Sequence, residues 1–202
     1  MLDVVVATGN NGKLAEIREG LKGFGLNLLS LRDRKIKGSP EEGGESYLQN
    51  AVKKALSYAQ MLNSVVVADD SGLEVDALGG RPGIFSARYT GGTDSDNIQR
   101  LLAEMGDLPW ARRTAHFRCA IAFATPRGSL LTAQGECSGF IGYEPKGQSG
   151  FGYDPVFYHP SIQQTFGECS LGMKMSLSHR GCTLDSLKAQ LPDFLRKNAE
   201  ET

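Results

Sequence analysis

No apolar run in this chain approaches the roughly 20 residues that a helix needs to cross a bilayer. Its first residues, Met1-Leu2-Asp3, lead into a short strand rather than a basic segment followed by an apolar one. A soluble, unexported, cytoplasmic protein is therefore expected. The four cysteines, Cys119, Cys137, Cys169 and Cys182, include no Cys-x-x-Cys pair. That spacing argues against a zinc site, gives little support to a disulfide framework and suits a reducing compartment. An excess of positive charge is missing too: 22 Lys and Arg face 23 Asp and Glu. Without a broad basic field, sequence-independent binding to nucleic acid is disfavoured, and neither a nucleic acid polymer nor a membrane is an expected partner. Internal repeats and low-complexity tracts are absent. At 202 residues the chain is long enough for one sizeable core, and a single domain with two lobes is expected over 1–202.

What is present begins with Val4-Val5-Val6-Ala7, an unbroken apolar run suited to a strand buried on both faces. Leu14, Ile17 and Leu21 then recur at helical spacing. Thr8-Gly9-Asn10-Asn11-Gly12-Lys13 lies between strand and helix. There the unpaired N–H groups of a helix N-terminus and its dipole can receive an anion, with Lys13 adding a point charge. A triphosphate is the guest this chemistry suits; the plain alternative is a turn that merely leaves a strand and caps a helix. It is not a P-loop, since Ala7 and Leu14 occupy positions where that motif needs Gly and Ser or Thr. Any metal must then be held by carboxylates elsewhere.

Further along, Leu26 to Leu31 is a second apolar run, and Arg32 to Gly44 reads as a long loop. Ser46-Tyr47-Leu48-Gln49 has the form of a capping box opening a helix that runs to Leu62. Val65 to Ala68 reads as a buried strand emptying into an acidic turn, Asp69-Asp70-Ser71-Gly72. Asp94 to Met105 reads as a capped helix. His116 to Ala124 and Ser129 to Cys137 form strand-like runs joined by Thr125-Pro126-Arg127-Gly128, a hairpin signal that argues against a purely parallel sheet. Pro155 to Tyr158 suggests another strand, Thr183 to Leu191 a helix, and Pro192 the start of a tail.

Asp69 and Asp70 are the strongest acidic pair, because ligands bind at strand C-termini in open α/β sheets. Both acids acting only as turn formers is the competing reading. Glu41 and Glu42 are a second source of oxygen for Mg²⁺, which uses one or two carboxylates with substrate phosphates; they equally suit a solvated acidic loop. Of Lys53 and Lys54, one shares a face with the site and the other is solvated. In Gly150-Phe151-Gly152-Tyr153-Asp154-Pro155, two aromatics and an acid suit a purine base, or else a tight turn with core aromatics. Lys174 and Ser178-His179-Arg180-Gly181 bring three donors of different shape toward a base carbonyl and phosphates if their loop faces a cleft. His116 and His159 read as structural.

In order and separation these motifs, together with Glu16, Gly79-Gly80-Arg81-Pro82-Gly83 and Ser86-Ala87-Arg88-Tyr89, resemble the inosine triphosphate pyrophosphatase family over nearly the whole chain. The resemblance implies an elongated α/β fold of mixed α+β character. In it, a mixed sheet and helices form two lobes with the active site in the cleft between them, usually as a homodimer. It implies Mg²⁺-dependent hydrolysis of ITP, dITP and XTP to monophosphate and pyrophosphate, which cleanses the nucleotide pool. By the same resemblance Thr8, Gly9, Asn10, Asn11, Gly12 and Lys13 hold the phosphates, and Lys54 neutralises their charge. Asp70 binds metal and accepts the proton of the attacking water. Glu41, by its distance from the capped helix, is the second metal ligand ahead of its neighbour Glu42. Ser71 touches substrate; Phe151, Gly152, Tyr153 and Asp154 stack on and bond the base; Lys174 reaches substrate; His179 and Arg180 read the 6-oxo group. The chain departs from the family at Cys182-Thr183-Leu184, where slightly altered helix packing is expected. A phosphotransferase, a nucleotide sensor and a pyrophosphatase for dUTP or methylated nucleotides are the competing classes.

Overall fold

The computed structural model describes residues 2–36 and 43–198. Glu41 and Glu42 therefore lie outside the described residues. One seven-stranded sheet runs through the chain in the order β2-β1-β3-β4-β5-β6-β7. The apolar run at the start forms β1 (Leu2–Val6), and α1 (Asn11–Gly20) carries the chain to β2 (Leu26–Ser30), which pairs with β1 in parallel. Helix α2 (Tyr47–Leu62) then returns it to β3 (Val65–Val75), parallel to β1 on its other side. β4 (Thr114–Ala124) and β5 (Leu130–Ile141) are neighbours joined by five residues. So short a link permits only an antiparallel pair. The short strands β6 (Phe157–His159) and β7 (Gln164–Thr165) continue antiparallel. The expected mixed α/β class is borne out. No helix among the described residues is long and apolar enough to cross a membrane.

The helices follow their sequence signals. Ser46 caps α2 by accepting from Gln49 N, and Tyr47, Asn50, Ala51, Lys54, Ala55, Tyr58 and Ala59 form its buried stripe. Helix α3 (Asp94–Met105) opens on a reciprocal capping box between Thr93 and Asp96. Three short or late elements complete the chain: α4 (Leu171–Met175), α5 (His179–Lys188) and α6 (Leu191–Asn198).

Three expectations need correction. Asp69-Asp70-Ser71-Gly72 is not a turn: β3 continues through it to Val75. Turn-forming residues yield here because side chains of other elements, Asn50 for Asp70 and Arg180 and Lys13 for Asp69, engage the two carboxylates, leaving the backbone free to pair in the sheet. His179 and Arg180 open α5 rather than sit in a loop. Residues after Pro192 form α6, not a tail, since Pro192 falls in the first turn, where a missing N–H costs nothing.

The chain divides into two compact units. The first contains Met1–Asp70, Cys119–Gly135 and Arg180–Thr202, and the second Ser71–Arg118 and Glu136–His179. In the first, Val4, Val5, Val6, Ile17, Ala55, Val66 and Ile121 are wholly buried. In the second, Leu73, Leu101, Phe117, Ile141, Phe157 and Phe166 belong to one apolar cluster. Strand β4 shows the change in texture. Thr114, His116 and Arg118 alternate with buried Ala115 and Phe117, whereas Cys119 to Ala124 are all buried.

Gly147 is the glycine most tightly required in the second unit, with φ +77° and a would-be Cβ 1.9 Å from the Gly167 carbonyl oxygen. Gly79 has φ +65° but open space around it. Gly79→Ala should cost about 1 kcal/mol, the backbone strain alone. Gly147→Ala should cost clearly more, because backbone must move, and urea unfolding midpoints of the two variants check the order.

Candidate active site

In the first unit, the turn after β1 is built as its composition suggests. Thr8 Oγ1 accepts from Asn10 N at 3.1 Å, and Asn10 Oδ1 caps α1 by accepting from Lys13 N at 3.0 Å. Capping and anion binding are thus compatible. Of the four donors at the start of a helix, those of Asn11 and Gly12 remain to meet an anion. Lys13, on the first turn of α1, reaches inward to place Nζ 3.3 Å from Asp69 Oδ2.

Asp69 and Asp70 are adjacent in β3, so their side chains leave opposite faces. Asp69 is 1 % exposed and receives Arg180 Nη2 at 2.8 Å and Nε at 3.2 Å. The same guanidinium, wholly buried at the start of α5, pairs through Nη1 with Glu16 of α1. Burial pushes the Asp69 carboxyl up, but the charges of Lys13, Arg180 and Lys54 together outweigh it and hold it well below the usual carboxylate range. Burial likewise lowers the Arg180 pKa, and the Asp69 and Glu16 charges reverse that shift and raise it. Asp69 Oδ1 is buried with no hydrogen-bond partner among the described residues.

Asp70 faces α2, where Asn50 Nδ2 donates to its Oδ2 at 2.9 Å. Asn50 Oδ1 in turn accepts from Gly44 N at 2.9 Å. Lys54, one turn further along the same stripe, donates from Nζ to the Asp69 carbonyl oxygen at 3.2 Å, while Lys53 is exposed. Lys54 is therefore the lysine that faces the cluster. Near Arg180, Asp69 and Lys13, the Cys119 thiol of β4 is buried, and burial foremost pushes its pKa up to about 12.

No group of three His, Cys, Asp or Glu suited to a metal occurs among the described residues. Mg²⁺ does not require one, since one or two carboxylates together with phosphate oxygens and water suffice. The hard oxygen donors of Asp70 fit that cation, whereas Asp69 leaves the opposite face of β3 and is committed to Lys13 and Arg180.

The second unit holds the residues expected at a base. Asp154 Oδ2 accepts from Phe151 N at 2.8 Å and pairs with Lys174 Nζ, both side chains being buried. Lys174 Nζ lies 4.6 Å from the Phe151 ring centroid. Gly150 is obligatory beside this pair: at φ +76°, a Cβ would stand 2.0 Å from Asp154 Oδ2. Gly152 N donates to Asp94 Oδ2 at 2.7 Å. Tyr153 is 4 % exposed and donates its hydroxyl to the Ser86 carbonyl oxygen at 3.0 Å. Its ring therefore anchors the loop in the core. Ser86 Oγ also accepts from Leu73 N at 2.8 Å, two residues beyond Ser71 in β3. A cavity of about 500 Å³ lies against the loop, lined in part by Asp94, Ile98 and Leu102 of α3 and by Pro145 and Phe151. His179 is 3 % exposed, and its ring stacks on Phe117.

Thr8 to Lys13, Lys54, Asp70 and Arg180 thus belong to the first unit. Ser71, Phe151 to Asp154, Lys174 and His179 belong to the second. His116 contacts Ser138 and Asp76, and His159 stacks on Phe166, in keeping with structural roles. Asn50, Ser86 and Asp94 were missed. Asn50 had one legible signal, a polar residue on the apolar stripe of α2.

These features define a mixed α/β protein in which a glycine-rich turn at a helix N-terminus meets, through Lys13, a buried cluster of carboxylates and cations. The Ham1 family profile matches residues 4–190, and the chain belongs to that family. A dITP/XTP pyrophosphatase of Desulforamulus reducens is 46 % identical over 185 residues, 91 % of this chain and 92 % of its own length. A second, from Halalkalibacterium halodurans, is 46 % identical over 189 residues, 93 % of this chain and 97 % of its own. The solved structure of a HAM1 protein from Coxiella burnetii superposes with a TM-score of 0.83 at 37 % identity, covering 96 % of this chain and all of that one.

Replacing Arg180 by Met should cost about 3–5 kcal/mol at pH 7, since it strands buried carboxylates. The native Asp69 pKa is depressed, so its contribution is complete above the unfolded value of about 3.9 and fades as pH falls toward the lower native value. The stability gap between parent and variant should accordingly be widest above about pH 5 and narrow below pH 4. Urea titrations across that range check it.

Proposed function

We propose that this chain hydrolyses non-standard purine nucleoside triphosphates, ITP, dITP and XTP, to the monophosphate and pyrophosphate. The observation that carries the reading is the 3.3 Å pairing of Lys13, from the anion-binding turn, with Asp69, the strand neighbour of Asp70. It joins a phosphate donor to the strand that carries Asp70, the carboxylate suited to a metal. The printed names of the relatives, dITP/XTP pyrophosphatases at 46 % identity, support the substrate class.

In this reading Thr8 to Lys13 bind phosphate oxygens through the N–H groups at the start of α1, and Lys54 balances their charge. Asn50 orients Asp70, which accepts the proton of a water attacking the α-phosphorus; the bond to the bridging oxygen breaks and pyrophosphate leaves. Asp70, with Glu41 as second ligand by the family resemblance, would hold Mg²⁺, which when bound would withdraw charge from the phosphate chain. Ser71 touches substrate. Phe151 offers a stacking face, and Gly152, Tyr153 and Asp154 shape the loop that presents it. Lys174 reaches substrate and His179 favours a 6-oxo acceptor; the expected base contact of Arg180 is not kept, because its guanidinium is wholly buried against Asp69 and Glu16. A site that donates to a carbonyl rejects a 6-amino analogue strongly, by up to about 10⁴-fold, because buried donors are left unpaired. The enzyme works as a cytoplasmic homodimer, the assembly and compartment that the family resemblance implies.

The test is product analysis with Mg²⁺ and, separately, ITP, XTP, ATP, GTP and dUTP. Monophosphate and pyrophosphate from ITP and XTP, with ATP and GTP nearly untouched, is the expected result. Diphosphate and free phosphate would point to another hydrolase, and no turnover to a binding protein. Asp70→Asn keeps the Asn50 contact and should lower kcat by at least about 100-fold with an unchanged unfolding midpoint. A near-normal rate would remove Asp70 from its role.

A further inference from the structure

Phe117 stands outside every motif that the sequence singles out. It is the second of the inward-facing residues of β4, 7 % exposed, in the same unit as Phe151, Asp154, Lys174 and His179. Its ring is held by Phe157, with centroids 4.4 Å apart and planes tilted by 43°, and by Phe166 at 6.4 Å. Against this fixed ring lies the His179 imidazole, with centroids 4.7 Å apart and planes only 14° from parallel.

The near-parallel stack matters because of what an imidazole must do to read a carbonyl. Its N–H lies in the ring plane, and a hydrogen bond weakens steeply when the donor angle falls away from linear. The terminal torsion of histidine is broad and roughly two-fold, so the backbone of α5 alone does not set that plane. An aromatic face at van der Waals distance does, since rotating the ring would drive an edge into Phe117.

We propose that Phe117 is a positioning residue for base discrimination, acting through His179 by fixing the plane in which its N–H is presented. This inference rests on the reading of the protein as a pyrophosphatase selective for 6-oxo purines. The Phe117 ring carries no group that binds phosphate or moves a proton, so its effect belongs to base recognition rather than to bond breaking.

The experiment compares kcat and KM for ITP and ATP in the wild type, Phe117→Leu, His179→Ala and the double variant, below the lowest unfolding midpoint of the four. Phe117→Leu should lower the ITP-over-ATP ratio of kcat/KM by about tenfold, the scale of one misaligned hydrogen bond. The loss should fall mainly on KM for ITP. In the His179→Ala background the same substitution should change the ratio by less than about twofold, because coupled residues are not additive. Phe117→Tyr, which keeps the ring, should restore most of the preference. An unchanged ratio in Phe117→Leu, or an equal loss with and without His179, would overturn the inference while leaving the pyrophosphatase reading intact. A wild type with no preference for ITP over ATP would overturn both. Should Phe117→Leu fail to fold, proton NMR of the wild type decides. Upfield-shifted His179 ring protons support the stack, and random-coil positions refute it.

Discussion

The interaction on which the first unit depends is the buried pairing of Arg180 with Asp69 and Glu16. Taking three charges out of water is costly, and only near-complete mutual compensation makes it tolerable. That requirement is geometric: α1, β3 and α5 must each deliver one residue to one point. The partners are 111 and 164 positions apart in the chain. A helix that begins at His179 is thereby tied to the strand carrying Asp70 and to the helix whose N-terminus carries the Thr8–Lys13 turn. Lys13 and Lys54 join the same cluster, so the groups assigned to phosphate are also those that keep Asp69 ionised.

The second unit repeats the device at smaller scale. Asp154 gathers the Phe151 amide and the Lys174 ammonium, Asp94 takes the Gly152 amide, and the Tyr153 hydroxyl reaches back to Ser86. Every residue from 151 to 154 has its backbone or side chain held, although the stretch is rich in glycine. The glycines serve geometry rather than looseness: Gly150 allows the close approach of the Asp154 carboxylate, and Gly152 takes the left-handed backbone at φ +60°. Rigid presentation of a face and a cation is what recognition of a planar ligand demands.

Much of the fold was legible because it rests on local chemistry. β1, α1, α2 and α3 follow from apolar spacing and from the caps Asn10, Ser46 and Thr93. The β4–β5 hairpin follows from Thr125-Pro126-Arg127-Gly128. What was misread depends on distant partners. By local pattern β3 stops at Ala68, because two acids and a glycine look like a turn; the partners of the acids on α1, α2 and α5 let the strand run on. Arg180 reads as a loop residue, for nothing near it in sequence announces a buried ion pair. Ser86 and Asp94 hold the 150–155 loop by contacts across 67 and 58 positions, beyond the reach of any local pattern.

The setting of Cys119 has a consequence for redox chemistry. The thiolate, not the thiol, is what oxidants and electrophiles attack, and a pKa raised to about 12 leaves almost none at neutral pH. Cations nearby would ordinarily activate a sulfur, yet burial prevails over them here. The charge cluster is thus insulated from oxidative damage, and modification would begin instead at Cys182, the one exposed thiol of the four.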